Sequence, residues 1–379
     1  MLTPFNQRTG RAGRLPLPIT LTVILLLGSA LGGCERASVR AQREAAERKA
    51  AEAKVVKFAI EPQFDNVDIF SDGLAAVRRG DVANGRWGYI SRDGSIAIEP
   101  QFRAATAFSR GVATAVIDEK GGHRWAVIDK RGRTVGDGRF DAAGGFSDGL
   151  AMVRVGSEIS GRYGYVDAQG RIAIKPQFSL AGPFAEGLAP VRIGSEASGK
   201  WGFIDGTGRL VITPQFDNAR PFSDGMAQVE FGRGLDAKVG FIDRGGKLVI
   251  DARYRFAGRF SNGLAPAGVK GSPGGFGGHW GVVDRQGRFV VEPRFDYLWD
   301  FADGLAPVLS GGFNKGGKWG YIDAQGTVVV SPQFDAARPF REGLAAVRVD
   351  GRVGGKWGFI YRPGASDKVS DAPAQTRVR

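Results

Sequence analysis

The chain has one cysteine, Cys34, and two histidines, His123 and His279, in 379 residues. A lone thiol excludes an internal disulfide, and so small a set of Cys and His excludes a zinc site built from them. The apolar stretch Ile19–Leu31 is shorter than the ~20 residues a membrane-spanning helix needs. Acid is in deficit, with 39 Asp and Glu against 52 Lys and Arg and a formal charge of +13. Such a surface suits anionic partners. Glycine is abundant instead, 59 residues against a usual share of about 7%. No three-residue period accompanies it, so collagen is excluded and the glycines must serve turns. An apolar content of 42% is enough for a core.

Arg8, Arg11 and Arg14 precede the apolar run, and Leu31-Gly32-Gly33-Cys34 follows it. A basic region, a short apolar region and small residues before a cut describe a secretory signal. Leu31-Gly32-Gly33-Cys34 resembles the lipobox of bacterial lipoproteins. That resemblance implies cleavage before Cys34, acylation of Cys34, and a protein held on a membrane by its lipid. Glu35 in place of Asp implies the outer membrane in a diderm cell. Residues 34–55 are strong helix formers without an apolar stripe. They are expected to form a charged tether.

Internal periodicity then sets the fold. An aromatic-Gly pair, or its substitute, stands at Trp87-Gly88, Trp125-Ala126, Tyr163-Gly164, Trp201-Gly202, Val239-Gly240, Trp280-Gly281, Trp319-Gly320 and Trp357-Gly358, about 38 residues apart. An aromatic usually preceded by Pro-Gln recurs at Phe64, Phe102, Phe140, Phe178, Phe216, Tyr254, Phe295 and Phe334. A Gly-Leu-Ala motif is anchored at Gly73, Gly111, Gly149, Gly187, Gly225, Gly263, Gly304 and Gly343. Within one unit, Trp201–Asp205 reads as a strand. Asp205–Gly208 reads as a turn, and Arg209–Ile212 as a returning strand that Pro214 ends. Asp217–Ser223 reads as a loop, and Met226–Val229 as a third strand. Such a three-stranded meander cannot bury its own apolar face, so neighbours must stack on it.

Lys200-Trp-Gly-Phe-Ile-Asp205, Pro214-Gln-Phe-Asp217 and Phe222-Ser-Asp-Gly-Met-Ala227 together resemble the WG-repeat (KWG-repeat) family over residues 57–361. The resemblance implies a repeat architecture often found on envelope proteins, without a common reaction. Val239, Ala126 and Asp137-Gly-Arg-Phe140 depart from the pattern, so their units are expected to be looser. The array begins in mid-unit at Val56–Ile60 and ends in mid-unit at Trp357–Tyr361. The two halves complete an eighth unit, which favours a closed propeller-like ring over an open superhelix.

Two motifs imitate chemistry. Gly145-Phe-Ser-Asp-Gly149 matches a nucleophile elbow, yet reads as the ordinary turn of a unit. Gly312–Lys318 imitates a phosphate loop, but Trp319 stands where Ser or Thr would hold Mg²⁺. No catalytic residue, metal site or cofactor is expected. Repeated charge is more informative. Arg86, Arg124, Arg162, Lys200, Lys238, His279, Lys318 and Lys356 precede the aromatic-Gly pairs. Asp72, Arg110, Asp148, Glu186, Asp224, Asn262, Asp303 and Glu342 precede Gly-Leu-Ala. The basic positions form a candidate row for an anionic polymer, or are solvated or paired with acids. Glycine-rich insertions at 268–279 and 310–317 break the period, so Lys270, Phe276, His279, Phe313 and Lys315 are candidate binding residues.

The resulting organisation is a signal peptide (1–33), an acylated tether (34–55), an all-β domain of eight tandem β-meander repeats (56–361) and an unstructured tail (362–379). The expected role is a lipid-anchored, non-catalytic scaffold for a protein or cell-wall partner. An anionic glycan or lipid bound through the basic row is the alternative, and an envelope enzyme a more distant one. Nucleic acid is not an expected partner, and the oligomeric state is left open.

Overall fold

Two turns recur in each repeat and set its geometry. In the first, Asp72 and Gly73 both take positive φ, 56° and 79°. Ser71 and Leu74 exchange backbone hydrogen bonds of 2.9 and 3.2 Å across them. Two left-handed residues make the tight hairpin whose twist matches that of its strands. The acidic or polar residue ahead of each Gly-Leu-Ala is left-handed in all eight repeats, Arg110 and Asn262 included. The second turn is Asp205–Gly208, closed by Gly208 N donating to Asp205 O at 2.9 Å. The Asp205 carboxylate also accepts from Thr207 N and Arg209 N.

The computed structural model describes residues 56–195, 197–269, 279–312, 315–351 and 354–364, all within the unit Ala53–Arg379. Cys34, the tether, Lys270, Phe276 and Phe313 lie outside the described residues. The described chain forms eight antiparallel sheets, the blades of a closed propeller. Blades 1 to 7 span residues 66–102, 105–140, 142–178, 180–216, 218–254, 256–295 and 297–334. Blade 8 joins residues 336–361 to the strand Phe58–Phe64. Blade 4 shows the plan, with strands Leu180–Ala181, Leu188–Ile193, Lys200–Asp205 and Leu210–Phe216 in that order across the sheet.

A blade therefore has four strands where three were expected. In six blades the extra one has two residues, such as Asn218–Ala219, inside the stretch read as loop, and in blade 3 it runs Ala142–Ser147. In blade 2 it shrinks to a single bridge, Ala105 to Ala115. The blade is also offset from the unit read at Trp201, because its fourth strand ends at Phe216 and the next blade starts at once. Nor does Pro214 end its strand, which runs on to Phe216 through a register shift opposite Gly202. A bulge accommodates the missing donor.

Blades adhere through repeated contacts. In six of the eight repeats the residue two after the signature position is aromatic and packs on a phenylalanine of the following blade. Tyr89–Phe108, Tyr165–Phe184, Phe203–Phe222, Phe241–Phe260 and Tyr321–Phe340 have ring centroids 4.6, 4.7, 4.9, 4.8 and 4.7 Å apart. The buried tyrosine hydroxyls find carbonyls, as Tyr89 Oη donates to Thr106 O at 2.8 Å. The seam between blades 8 and 1 carries the same set. Phe359 packs on Phe70 at 4.8 Å, and Gly73 N donates to the Glu342 carboxylate at 3.2 Å. Across the closing sheet Lys356 pairs with Asp65 at 2.5 Å. That seam is built like the others, which makes the array a ring.

A belt of links holds the ring at the Asp-Gly turns. The carboxylate of one turn accepts from the glycine N–H of the next at Asp72–Gly111, Asp148–Gly187, Glu186–Gly225, Asp224–Gly263, Asp303–Gly343 and Glu342–Gly73. Equivalent groups can touch in succession only where the circumference is smallest, so the belt and the short first strands lie at the axis. A basic residue from the second turn of the following blade reaches four of these acids, as Lys130–Asp72, Arg244–Glu186, Arg285–Asp224 and Arg92–Glu342 at 3.1 to 3.5 Å. Where the acid is replaced by Arg110 or Asn262, the facing positions are Ala168 and Ala324.

Candidate functional site

The face opposite the belt carries the loops between second and third strands, and there the axis opens into a cavity of about 1060 Å³. Leu180, Asn218, Phe256 and Tyr297 line it, and these are the equivalent first-strand residues of blades 4, 5, 6 and 7. Trp201 and Trp280 form its walls, with Arg192, Arg220, Arg233 and Arg255 among them. Phe256 stacks on Trp280 at 6.0 Å and 14°. Trp280 continues to Tyr297 at 4.9 Å, and Tyr297 to Trp299 at 6.0 Å. Burial, with Asp300 close by, raises the Tyr297 phenol. The Gln228 Oε1 atom on the wall is buried without a hydrogen-bond partner. A second recess of about 380 Å³ lies between blades 7 and 8, lined by Trp299, Trp319, Trp357, Arg338 and Arg348.

Most of the basic row is spent on acids. Lys200, Lys318 and Lys356 bind Asp217, Asp335 and Asp65 at 2.7, 2.6 and 2.5 Å. Arg124 pairs with Asp141 at 3.2 Å and Arg86 with Asp118 at 3.6 Å. Four of these acids sit at the corner where one blade passes to the next. Their second oxygens cap the neighbouring loop, as in Gly232 N donating to Asp217 at 2.9 Å. Arg162 donates to the carbonyls of Ser160 and Gly161. For Lys238 the position equivalent to Asp217 is held by Arg255, and Lys238 has no ion pair among the described residues.

Of the candidate loop residues, His279 and Lys315 are exposed, on the loops of blades 6 and 7 at the cavity face. His279 O accepts from Val269 N at 3.2 Å, and Trp280 beside it forms the cavity wall. Ser147 of the elbow-like motif closes a strand in the first hairpin of blade 3, not a strand-to-helix turn. Arg362 is still held by the ring, its N–H donating to Gly343 O at 3.0 Å. The lumen arginines and the aromatic wall were not among the expected site residues. A signal was present, since Val-Arg closes the second strand at Arg78, Arg154, Arg192 and Arg348.

The corner pairs give a pH dependence. The hydrogen bond from Lys356 holds the Asp65 carboxyl below its ordinary range, against partial burial and with help from Gly80 N–H. Lys200 and Gly232 N–H do the same for Asp217. A carboxylate depressed in the folded state contributes stability above its unfolded value of about 3.9, and loses it as pH falls through the folded value. Each pair is partly exposed and worth at most about 1 kcal/mol. Thermal midpoints are expected to be level from about pH 7 to 5 and to fall below about pH 4. Lys200→Met with Lys356→Met should flatten the fall. An unchanged slope in calorimetry would remove these pairs from the account.

An all-β ring of eight units, seven four-stranded and one three-stranded with a bridge, around an axial cavity defines the eight-bladed β-propeller class. The chain belongs to the family described as WG containing repeat, whose model matches residues 57–82, 87–120, 125–158, 163–196, 201–233, 240–271, 280–312 and 319–357. No curated protein matches the chain. Among solved structures it is similar to a eukaryotic initiation factor, with 12% identity and a TM-score of 0.52 over 81% of this chain and 87% of that one. It is also similar to the β-propeller domain of the Trilobed protease from Pyrococcus furiosus, with 9% identity and a TM-score of 0.45 over 74% and 98%. At these identities the likeness concerns the fold.

Proposed function

We propose that this protein is a non-catalytic binding scaffold, lipid-anchored in the cell envelope through Cys34, on the periplasmic face of the outer membrane in a diderm cell. Its partner, a protein or cell-wall component, engages the cavity at the mouth of the axis. The observation that carries the reading is that cavity, where aromatic side chains from blades 4, 6 and 7 converge beside cationic groups. Concave sites with apolar walls and a few directed polar groups are where ligands bind. Trp, Tyr and Arg are also the residues that dominate binding energy at interfaces. The exposed His279 and Lys315 lie on the same face and widen the contact.

The test is a photo-crosslinking side chain at Asn218 in cells, compared with one at Arg131 in the second turn of blade 2, on the opposite face. Discrete adducts at 218 and none at 131, all in the membrane fraction, are expected. With Cys34→Ala the protein should leave that fraction. Adducts only at 131 would move the binding face, and membrane retention by the variant would end the lipid-anchor reading.

A further inference from the structure

Six arginines stand around the axis in two rows. Arg78, Arg154, Arg192 and Arg348 occupy one second-strand position, each paired with the first strand or its neighbour in the same register. Arg220 and Arg338 occupy the next position, where their N–H groups donate to Gln228 O and Ala346 O. None of the six has an ion pair among the described residues. The nearest corner acids, Asp65 and Asp335, are already held by Lys356 and Lys318. Asp68 and Glu230 are the acids at equivalent positions, and Glu230 also accepts from Asn218 Nδ2 at 3.2 Å. The Nε atoms of Arg78, Arg154, Arg338 and Arg348 are buried without a hydrogen-bond partner. Arg338 and Arg348 both lie against the Trp357 ring, at 5.3 and 5.6 Å, in the recess that Trp299 lines.

The fold does not require these groups. Equivalent positions hold Val116, Gly268 and Leu309 in the first row, and Thr106, Gly182 and Gly258 in the second. Those blades are built without a guanidinium. Clustered like charges with buried, unpartnered N–H groups are unfavourable in a confined space. A group kept at such a cost and not used by the fold serves a ligand. The guanidinium fork pairs in bidentate fashion with phosphate or carboxylate. One monovalent anion would neutralise a single arginine of the set. The concave lumen cannot meet a flat bilayer.

We propose that the lumen binds a soluble multivalent anion carrying two or more phosphate or carboxylate groups, with Arg338 and Arg348 over Trp357 as its main anchor. This deepens the reading of the axis as the binding site and rests on it. The full chain is titrated calorimetrically with inorganic tripolyphosphate and, separately, with hexaglutamate, in about 0.1 M salt so that exposed charges are screened.

At least one probe should bind with micromolar affinity. The choice between them tells phosphate from carboxylate as the natural group. Arg338→Gln with Arg348→Gln should weaken binding by about tenfold or more. Arg86→Gln with Arg124→Gln should not change it. Without ligand the lumen double variant should melt at or above the parent temperature in low salt, because repulsion is relieved. Three results overturn the proposal: no binding of either probe, equal weakening by both double variants, or a lowered melting temperature of the lumen variant. Adducts at position 218 with no anion binding would keep the mouth as a site and remove this ligand. Anion binding without adducts would keep the ligand and remove the partner at the mouth.

Discussion

Replacing Phe64 by alanine is expected to lower stability by about 3–5 kcal/mol, the cost of emptying a large aromatic site in a core that relaxes only partly. Phe64 is fully buried, pairs in register with Trp357 and belongs to the cluster that includes Phe70, Phe359 and Ile60. That cluster spans the two ends of the chain, so the substitution strikes the closure and not one blade alone. Deleting residues 58–64 should have a larger effect. It would expose the edge of the strand Lys356–Tyr361 and the apolar side chains behind it. Bare edges of that kind recruit other strands, so the truncated chain should aggregate on purification. Urea unfolding of Phe64→Ala measures the first effect, and light scattering of the truncated chain the second. A monomeric deletion variant with an unchanged midpoint would mean that the ring is held without its joined blade.

The closure could be read from the sequence because the repeat pattern opens on one half of a unit and closes on the other, Val56–Ile60 against Trp357–Tyr361. Eight copies of one pattern also made the number of blades legible, even where Val239 or Ala126 broke it. The fourth strand was not legible. A two-residue strand such as Asn218–Ala219 shows no alternation, and the Asp, Asn and Pro around it read as loop chemistry. Its existence depends on the second strand lying beside it, which is a tertiary fact. The charge rows divided differently. The row from Arg86 to Lys356 is visible because it precedes a tryptophan, yet five of its members spend their charge on Asp65, Asp118, Asp141, Asp217 and Asp335. The lumen arginines recur in only some repeats. Their distinction is the lack of an acid partner, which residue spacing alone does not report.

The glycine of the signature pair provides the second large effect, because its role is steric. A Cβ at Gly202 would strike the Ile212 carbonyl oxygen and lie 2.8 Å from Pro214 N. The fourth strand bulges over this point, and Gly88, Gly164, Gly281, Gly320 and Gly358 meet the same crossing. Gly202→Ala is therefore expected to cost about 1–3 kcal/mol, as overpacking does, by pushing the outer strand off its partner. Blade 2 is the internal control. There Ala126 replaces glycine, no proline follows, and the outer strand pairs Val135 with Val127 before bulging at Gly136, whose φ is 69°. The bulge is shifted, and that makes room for the methyl group. Ala126→Gly should then lose about 1 kcal/mol or less, the entropic cost of glycine in a strand. Chemical unfolding of the two variants side by side decides the matter. Equal losses would mean that the glycine marks the repeat without shaping it, while a large loss at Gly202 alone would show that the Trp-Gly pair exists to let one strand cross another.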